Sequence, residues 1–273
     1  MTIAQPLLAL ALASSSLSAQ TARDFYNTGS KQFLQHQFDA ARNSFTRAIE
    51  LNPSYAESYR GLGMTELELK DYQAAYRAWL KAVELNPKDE KSKYFLGRLF
   101  YEADLPNEGA AWLRQALELA PDDYEATTYL GLCAEALGFD DTAVALYRKA
   151  MADSKAQKKP YSWAFLSLGN FHKKHGDENQ AMQVLEEGAQ RCPEAHELAA
   201  LGELLSTHNQ PQRAEAILRQ AIALDPSLSG PHYRLGLLLK STGRLDEAKS
   251  EMARFQETKE QEDKHPKIIA LRK

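Results

Sequence analysis

The chain has 273 residues, 44% of them apolar, enough to bury a sizeable core and to form one large or two ordinary domains. A net charge of −4 and a pI near 6.0 argue against a surface built mainly to neutralise phosphates, since nucleic-acid-binding domains usually reach a pI above about 9. The two cysteines, Cys133 and Cys192, have no second pair at CxxC spacing, which supports neither a zinc knuckle nor a disulfide framework.

The first charged side chain is Arg23. Before it, an apolar run from Pro6 to Ala13 leads into a serine-rich stretch of small residues, the outline of a secretory signal. No Lys or Arg precedes the run, and Leu17 occupies a position that favours a small residue if cleavage follows Ala19. Residues 1–21 are therefore expected to direct export to a periplasm or the exterior; the alternative is a disordered leader on a cytoplasmic protein. The run is well short of the ~20 residues that span a bilayer, and no other segment comes closer, so no membrane-spanning segment is expected.

Beyond the leader the chain repeats itself. The phrases AIELNP, AVELNP, ALELAP and AIALDP close at Pro53, Pro87, Pro121 and Pro226. Gly29, Gly63, Gly97, Gly131, Gly169, Gly202 and Gly236 step by 34, 34, 34, 38, 33 and 34 residues, and the small residues Ala41, Ala75, Gly109, Ala143, Ala181, Ala214 and Ala248 keep the same steps. Three registers in agreement mark a solenoid or array. Units are placed at 22–55, 56–89, 90–123, 124–157, 162–194, 195–228 and 229–262, with a tail over 263–273.

Each unit carries two helical patterns. In the third, Leu96, Gly97 and Phe100 share one helix face; Gly109, Leu113 and Ala116 share the face of a second helix, which stops before Pro121. A glycine within a helix costs about 1 kcal/mol relative to alanine, so seven of them need a packing reason. Set against the small residue of the antiparallel partner, each is expected to let two helix axes close together. The extra residues near 158–161, within ADSKAQKKPYS, predict a longer loop or an overrun of the preceding helix, and the charged end after Met252 suits a terminal helix that meets water.

With Tyr59, Leu62, Gly63, Tyr72, Ala75, Trp79, Ala82 and Pro87 in unit two, the units resemble the tetratricopeptide repeat family. The resemblance implies an all-α fold, an α-α superhelix (solenoid) of about seven helix-turn-helix repeats. Departures are Gln32 and Glu66 in aromatic slots, a missing closing proline in unit four and Phe255 in place of alanine; each is expected to loosen packing locally.

No constellation suggests catalysis. The Gly61–Gly63 pair lacks the spacing of a phosphate loop. His172 and His175 have a spacing that suits two metal ligands, yet His172 takes the slot of Phe100 and reads as packing. Cys133 falls on the packed side of its helix, where a thiol stays inert, and a Cys133–Cys192 bridge is disfavoured by their placement in different units. No cofactor, no metal and no catalytic residue is expected, and the chain is read as not an enzyme.

The resemblance further implies that each first helix lines a concave groove with residues three before, one after and four after the repeat glycine. The expected partner-binding set is Tyr26, Arg60, Met64, Tyr94, Arg98, Tyr101, Asn170 and Lys173, rich in aromatic and arginine anchors. Of the lysine, asparagine and arginine set with which some family members hold chaperone C-termini, only Lys91 is present. The expected function is a scaffold that binds a protein or peptide segment, as an exported assembly or cell-envelope factor. The alternatives are a recognition subunit of an enzyme complex and a helical-repeat RNA binder.

Overall fold

The computed structural model describes residues 21–263. All of the leader except Thr21, and the tail after Asp263, lie outside the described residues. Helices pair in chain order: α1 (21–34) with α2 (Phe38–Leu51), α3 (Ala56–Glu68) with α4 (Tyr72–Leu85), α5 (Glu90–Glu102) with α6 (Pro106–Leu119), and α7 (Tyr124–Ala136) with α8 (Asp140–Ala156). They continue as α9 (Trp163–Lys174) with α10 (Glu178–Arg191), α11 (Ala195–Thr207) with α12 (Pro211–Leu224), and α13 (Ser229–Ser241) with α14 (Leu245–Asp263). The result is an all-α solenoid of seven helix pairs among the described residues. It divides into two units, one holding repeats one to three up to Pro121 and the other repeats four to seven from Asp122.

Local chemistry sets the helix ends. Asp71, Asp89 and Asp123 cap α4, α5 and α7, their carboxylates accepting from the N–H of Ala74, Ser92 and Ala126 at 2.9, 3.3 and 3.0 Å. Proline opens α6 and α12 at the first helical position, where its missing N–H costs nothing. The closing phrases are turns: Asn52 Oδ1 accepts from Ser54 N across Pro53 at 3.2 Å, and Asn86 Oδ1 from Lys88 N across Pro87 at 3.1 Å. Within each repeat one residue bends the chain at positive φ, from His36 and Lys70 to Gly243, on the same lattice as the glycines.

The glycine lattice meets a different partner from the one expected. A Cβ on Gly63 would fall 2.5 Å from Trp79, on Gly97 2.5 Å from Leu113, on Gly131 2.7 Å from Tyr147, and on Gly169 2.6 Å from Leu185. The missing side chain receives the large residue four positions beyond the small one, and Trp79, Leu113, Tyr147 and Leu185 are fully buried. The small residue brings its backbone close: the Gly109 carbonyl oxygen lies 3.0 Å from the Cβ position of Gly97. Each repeat is thus a knob in a glycine hole.

The departures from the repeat pattern do not loosen packing where the structure shows contacts. Glu66 is buried and accepts a two-pronged hydrogen bond from Arg42, Nε at 2.8 Å and Nη2 at 2.5 Å. Gln32 Oε1 accepts from Ser44 Oγ at 2.7 Å, and the Phe255 ring lies 5.0 Å from that of Tyr233. The missing proline of repeat four lets α8 run to 17 residues, against 14 in α2, α4 and α6.

Repeat six holds an unexpected group. Glu197 occupies a slot that is Ser58, Ser92, Ala126 and Ala164 in four other repeats, and like them it has no exposed surface. Neither carboxyl oxygen has a hydrogen-bond partner. Room for it comes from Gly188, which replaces the alanine found at Ala48, Ala82, Ala116 and Ala150; a Cβ there would lie 1.6 Å from Glu197 Oε1. Burial, aided by the charge of Glu194, raises the Glu197 pKa from 4.5 to about 8, so the group is an acid at neutral pH.

Urea titration of Gly97→Ala is expected to show a loss of about 1–3 kcal/mol, because Leu113 and a backbone carbonyl block the new methyl despite its better helix propensity. Gly236→Ala should be neutral or stabilising by up to about 1 kcal/mol, since its nearest neighbours are flexible Met252 atoms at 3.2 Å. A raised folded-state pKa at Glu197 means that the native state holds a proton the unfolded chain releases, so its contribution to stability falls as pH rises from 4.5 to about 8. Glu197→Gln should flatten that slope in denaturation measured across this pH range. Gly188→Ala should destabilise by about 1–3 kcal/mol alone, and combining it with Glu197→Ser should recover part of the loss, because Phe165 Cβ, 2.8 Å from the new methyl, still opposes it.

Candidate functional site

On the first unit, the inner faces of α1 and α3 enclose a cavity of about 300 Å³. Helical spacing brings Tyr26, Ser30 and Phe33 onto one stripe of α1, and Arg60 and Met64 onto the facing stripe of α3. Phe45 from α2 forms the floor, only 2% exposed. Its ring reaches this position because both walls lack a side chain: a Cβ would sit 2.5 Å from it at Gly61 and 3.0 Å at Gly29. Gly61, outside the repeat lattice, therefore serves the cavity. Leu34, 79% exposed, stands at the mouth.

Arg60 is positioned by two neighbours. Its Nη1 donates to Asp89 Oδ1 at 2.8 Å, and it hydrogen-bonds with Tyr26. Burial opposes its charge, but the bonds to Asp89 and Tyr26 outweigh that and raise its pKa. Asp89 is itself buried and caps α5, so Arg60 ties the cavity wall to the start of repeat three. Tyr26 packs its ring 5.8 Å from Phe45 and 5.3 Å from Tyr55.

In repeat three the expected stripe separates. Tyr94 is only 6% exposed, with Phe95 at 5.1 Å between ring centroids and Lys91 Nζ 5.9 Å over its face. It is a packing residue and not an open groove anchor, because Phe95, stacked on Trp79 at 5.1 Å, fills the adjacent space. Arg98 Nε donates to Glu102 Oε1 at 2.6 Å, and both Arg98 and Tyr101 are half-buried.

In the second unit Asn170 is exposed on α9, and Lys173 Nζ donates to Glu203 Oε2 at 2.7 Å. Glu203 also accepts from Arg234, so a charge bridge crosses α9, α11 and α13. Glu203, Tyr233 and Leu237 occupy the same register as the expected groove residues and were not among them. The signal lay in the glycine lattice: Tyr233 stands three before Gly236 and Leu237 one after, 36% and 39% exposed.

His172 is buried, which lowers its pKa, while His175 Nδ1 lies 2.8 Å from the Phe171 carbonyl and its Nε2 3.2 Å from Asp140. The two imidazoles serve packing and the end of α9. Among the described residues no group of three or more His, Cys, Asp or Glu side chains is arranged to hold a metal ion, and no helix is long and apolar enough to cross a membrane. Cys133 and Cys192 are buried and are not joined in a disulfide.

Tetratricopeptide repeat family models match residues 32–90, 94–157 and 230–261, together more than half of the chain. No curated protein matches it. Among solved structures, the pilF protein of Pseudomonas aeruginosa is 17% identical with a TM-score of 0.64, over 78% of this chain and 96% of that one. PilW, described as a type IV pilus biogenesis factor, is 18% identical with a TM-score of 0.67, over 81% of this chain and 99% of that one. A tetratricopeptide repeat protein from Parabacteroides merdae ATCC 43184 is 15% identical with a TM-score of 0.66, over 80% and 84% of the two chains. At these identities the likeness is one of fold. Seven glycine-keyed helix pairs and a family match over most of them place the chain in the tetratricopeptide repeat family.

Proposed function

We propose that the chain is a protein-interaction scaffold that holds an extended or helical segment of another protein along the inner faces of its first helices. The observation that carries this reading is the α1–α3 cavity, whose aromatic and aliphatic lining of Tyr26, Phe33, Phe45 and Met64 suits one apolar anchor side chain. Arg60 and Tyr26 supply polar groups at its wall, already held in place by Asp89 and Tyr55. The exposed Leu34 and half-buried Tyr101 extend the same face with the residue types that anchor interfaces. The signal-like leader supports placing this scaffold outside the cytoplasm, as an exported assembly or cell-envelope factor.

Peptides selected from a random display library against the full chain should bind the wild type and lose at least tenfold in affinity on Ser30→Trp, which fills the cavity from a half-exposed position, with helical circular dichroism retained. Peptides that bind Ser30→Trp and Met64→Glu as tightly as the wild type would remove the cavity from the interface. Export is checked by sequencing the mature N-terminus from the native host: a chain beginning beyond the apolar run is expected, and Met1 would reject it.

A further inference from the structure

The lengthened junction between repeats four and five carries three lysines that no carboxylate pairs with among the described residues. Lys155 stands where Pro53, Pro87 and Pro121 end the earlier second helices, so α8 continues to Ala156 and then turns at Lys158, whose φ is 54°. Lys158 N donates to Lys155 O at 3.1 Å and Lys159 N to Ser154 O at 3.0 Å, which fixes the loop at the helix end. Gln157 Nε2 donates to the Asp122 carbonyl at 2.7 Å, and Tyr161 packs 4.7 Å from Tyr124, so the loop is held from both sides.

Between this loop and the end of α10 lies a cavity of about 350 Å³. Exposed Lys155, Lys158 and Lys159 join Arg191 around it, and buried Phe165 and Cys192 lie at its base. Elsewhere in this unit cations are mostly paired: Lys149 with Asp153, Lys173 with Glu203, Arg213 with Glu186, and Arg244 with Glu215. Among the described residues no carboxylate pairs with Lys155, Lys158 or Lys159. Arg191 engages Glu187 through Nε at 3.0 Å, which leaves its two Nη groups.

The base of the cavity adds little opposing charge. Burial pushes the Cys192 thiol up to about 11, so it is neutral, and the neighbouring Glu197 is held as an acid. The ends of α8 and α10 each contribute about half a negative charge and Glu187 a whole one, so the four cations keep an excess of about two positive charges. Glu194 bears on Cys192, and Glu125 and Asp123 bear on Tyr161, but none of the three lines the cavity. A single carboxylate would leave about half of this excess uncompensated, whereas a phosphate monoester brings about −1.5 to −2 and three acceptor oxygens.

We propose that this cavity is a binding site for a phosphate monoester, with the lysines and Arg191 on its oxygens and Phe165 and Tyr161 against its organic part. The site lies in a different unit from the α1–α3 cavity and does not depend on it.

Calorimetry on the full chain in about 0.15 M salt tests it, with O-phosphoserine, a phosphoserine hexapeptide and the unphosphorylated hexapeptide as probes. At least one phosphorylated probe should bind, and the K155Q/K158Q/K159Q variant, folded by circular dichroism, should lose tenfold or more in affinity. K149Q, outside the cavity, should bind like the wild type. A phosphopeptide at least tenfold tighter than O-phosphoserine identifies a phosphorylated protein as the source; equal affinities identify a small phosphate ester. The proposal is overturned if neither phosphorylated probe binds, if the unphosphorylated peptide binds as well, or if the triple variant binds as tightly as the wild type.

Discussion

The architecture depends on one contact made seven times, a helix glycine that receives the large side chain from the partner helix sixteen residues later. The glycine is costly in isolation, and the phenylalanine, tryptophan, tyrosine, leucine or, in the last repeat, partly buried methionine that fills the hole offsets that cost with apolar area removed from water. Because the contact is internal to each repeat, the repeats close separately. What varies between them is the surface that each closed pair presents.

That variation has a consistent physical logic. Where a repeat departs from the pattern, a neighbour has changed to accommodate it: Arg42 faces Glu66, Ser44 faces Gln32, and Gly188 yields its volume to Glu197. The first two are satisfied polar pairs. The third is not, since both Glu197 oxygens lack a partner, and its burial is tolerable because the carboxyl keeps its proton. The same compensation shapes the cavity on repeats one and two, where Gly61 gives up a side chain so that Phe45 can form the floor.

Part of the candidate site follows from the helix register once the family resemblance says which face of each first helix is inward. Tyr26, Arg60 and Met64 are expected in the groove from their distance to Gly29 and Gly63, and the structure gathers them around one cavity together with Ser30 and Phe33. Register places a residue on a face, however, without saying how tightly its neighbours pack. Tyr94 has the right register and is enclosed, because Phe95 crowds it in a slot that is Gly61 in the preceding repeat. The cation cluster at the repeat four–five junction was visible as KAQKK, but not the cavity beneath it, which forms only when α8 overruns and the loop folds back toward α10.

By itself, the sequence determined the period, the helix pairs, the turns and the family, because each follows from residues near one another along the chain: glycine spacing, closing prolines and apolar faces at helical intervals. Only the tertiary structure decided which residue fills each glycine, which carboxylates are paired and which is left alone, and where cavities open. Those outcomes depend on volumes and partners contributed by other helices, and a pattern along one helix holds no record of either.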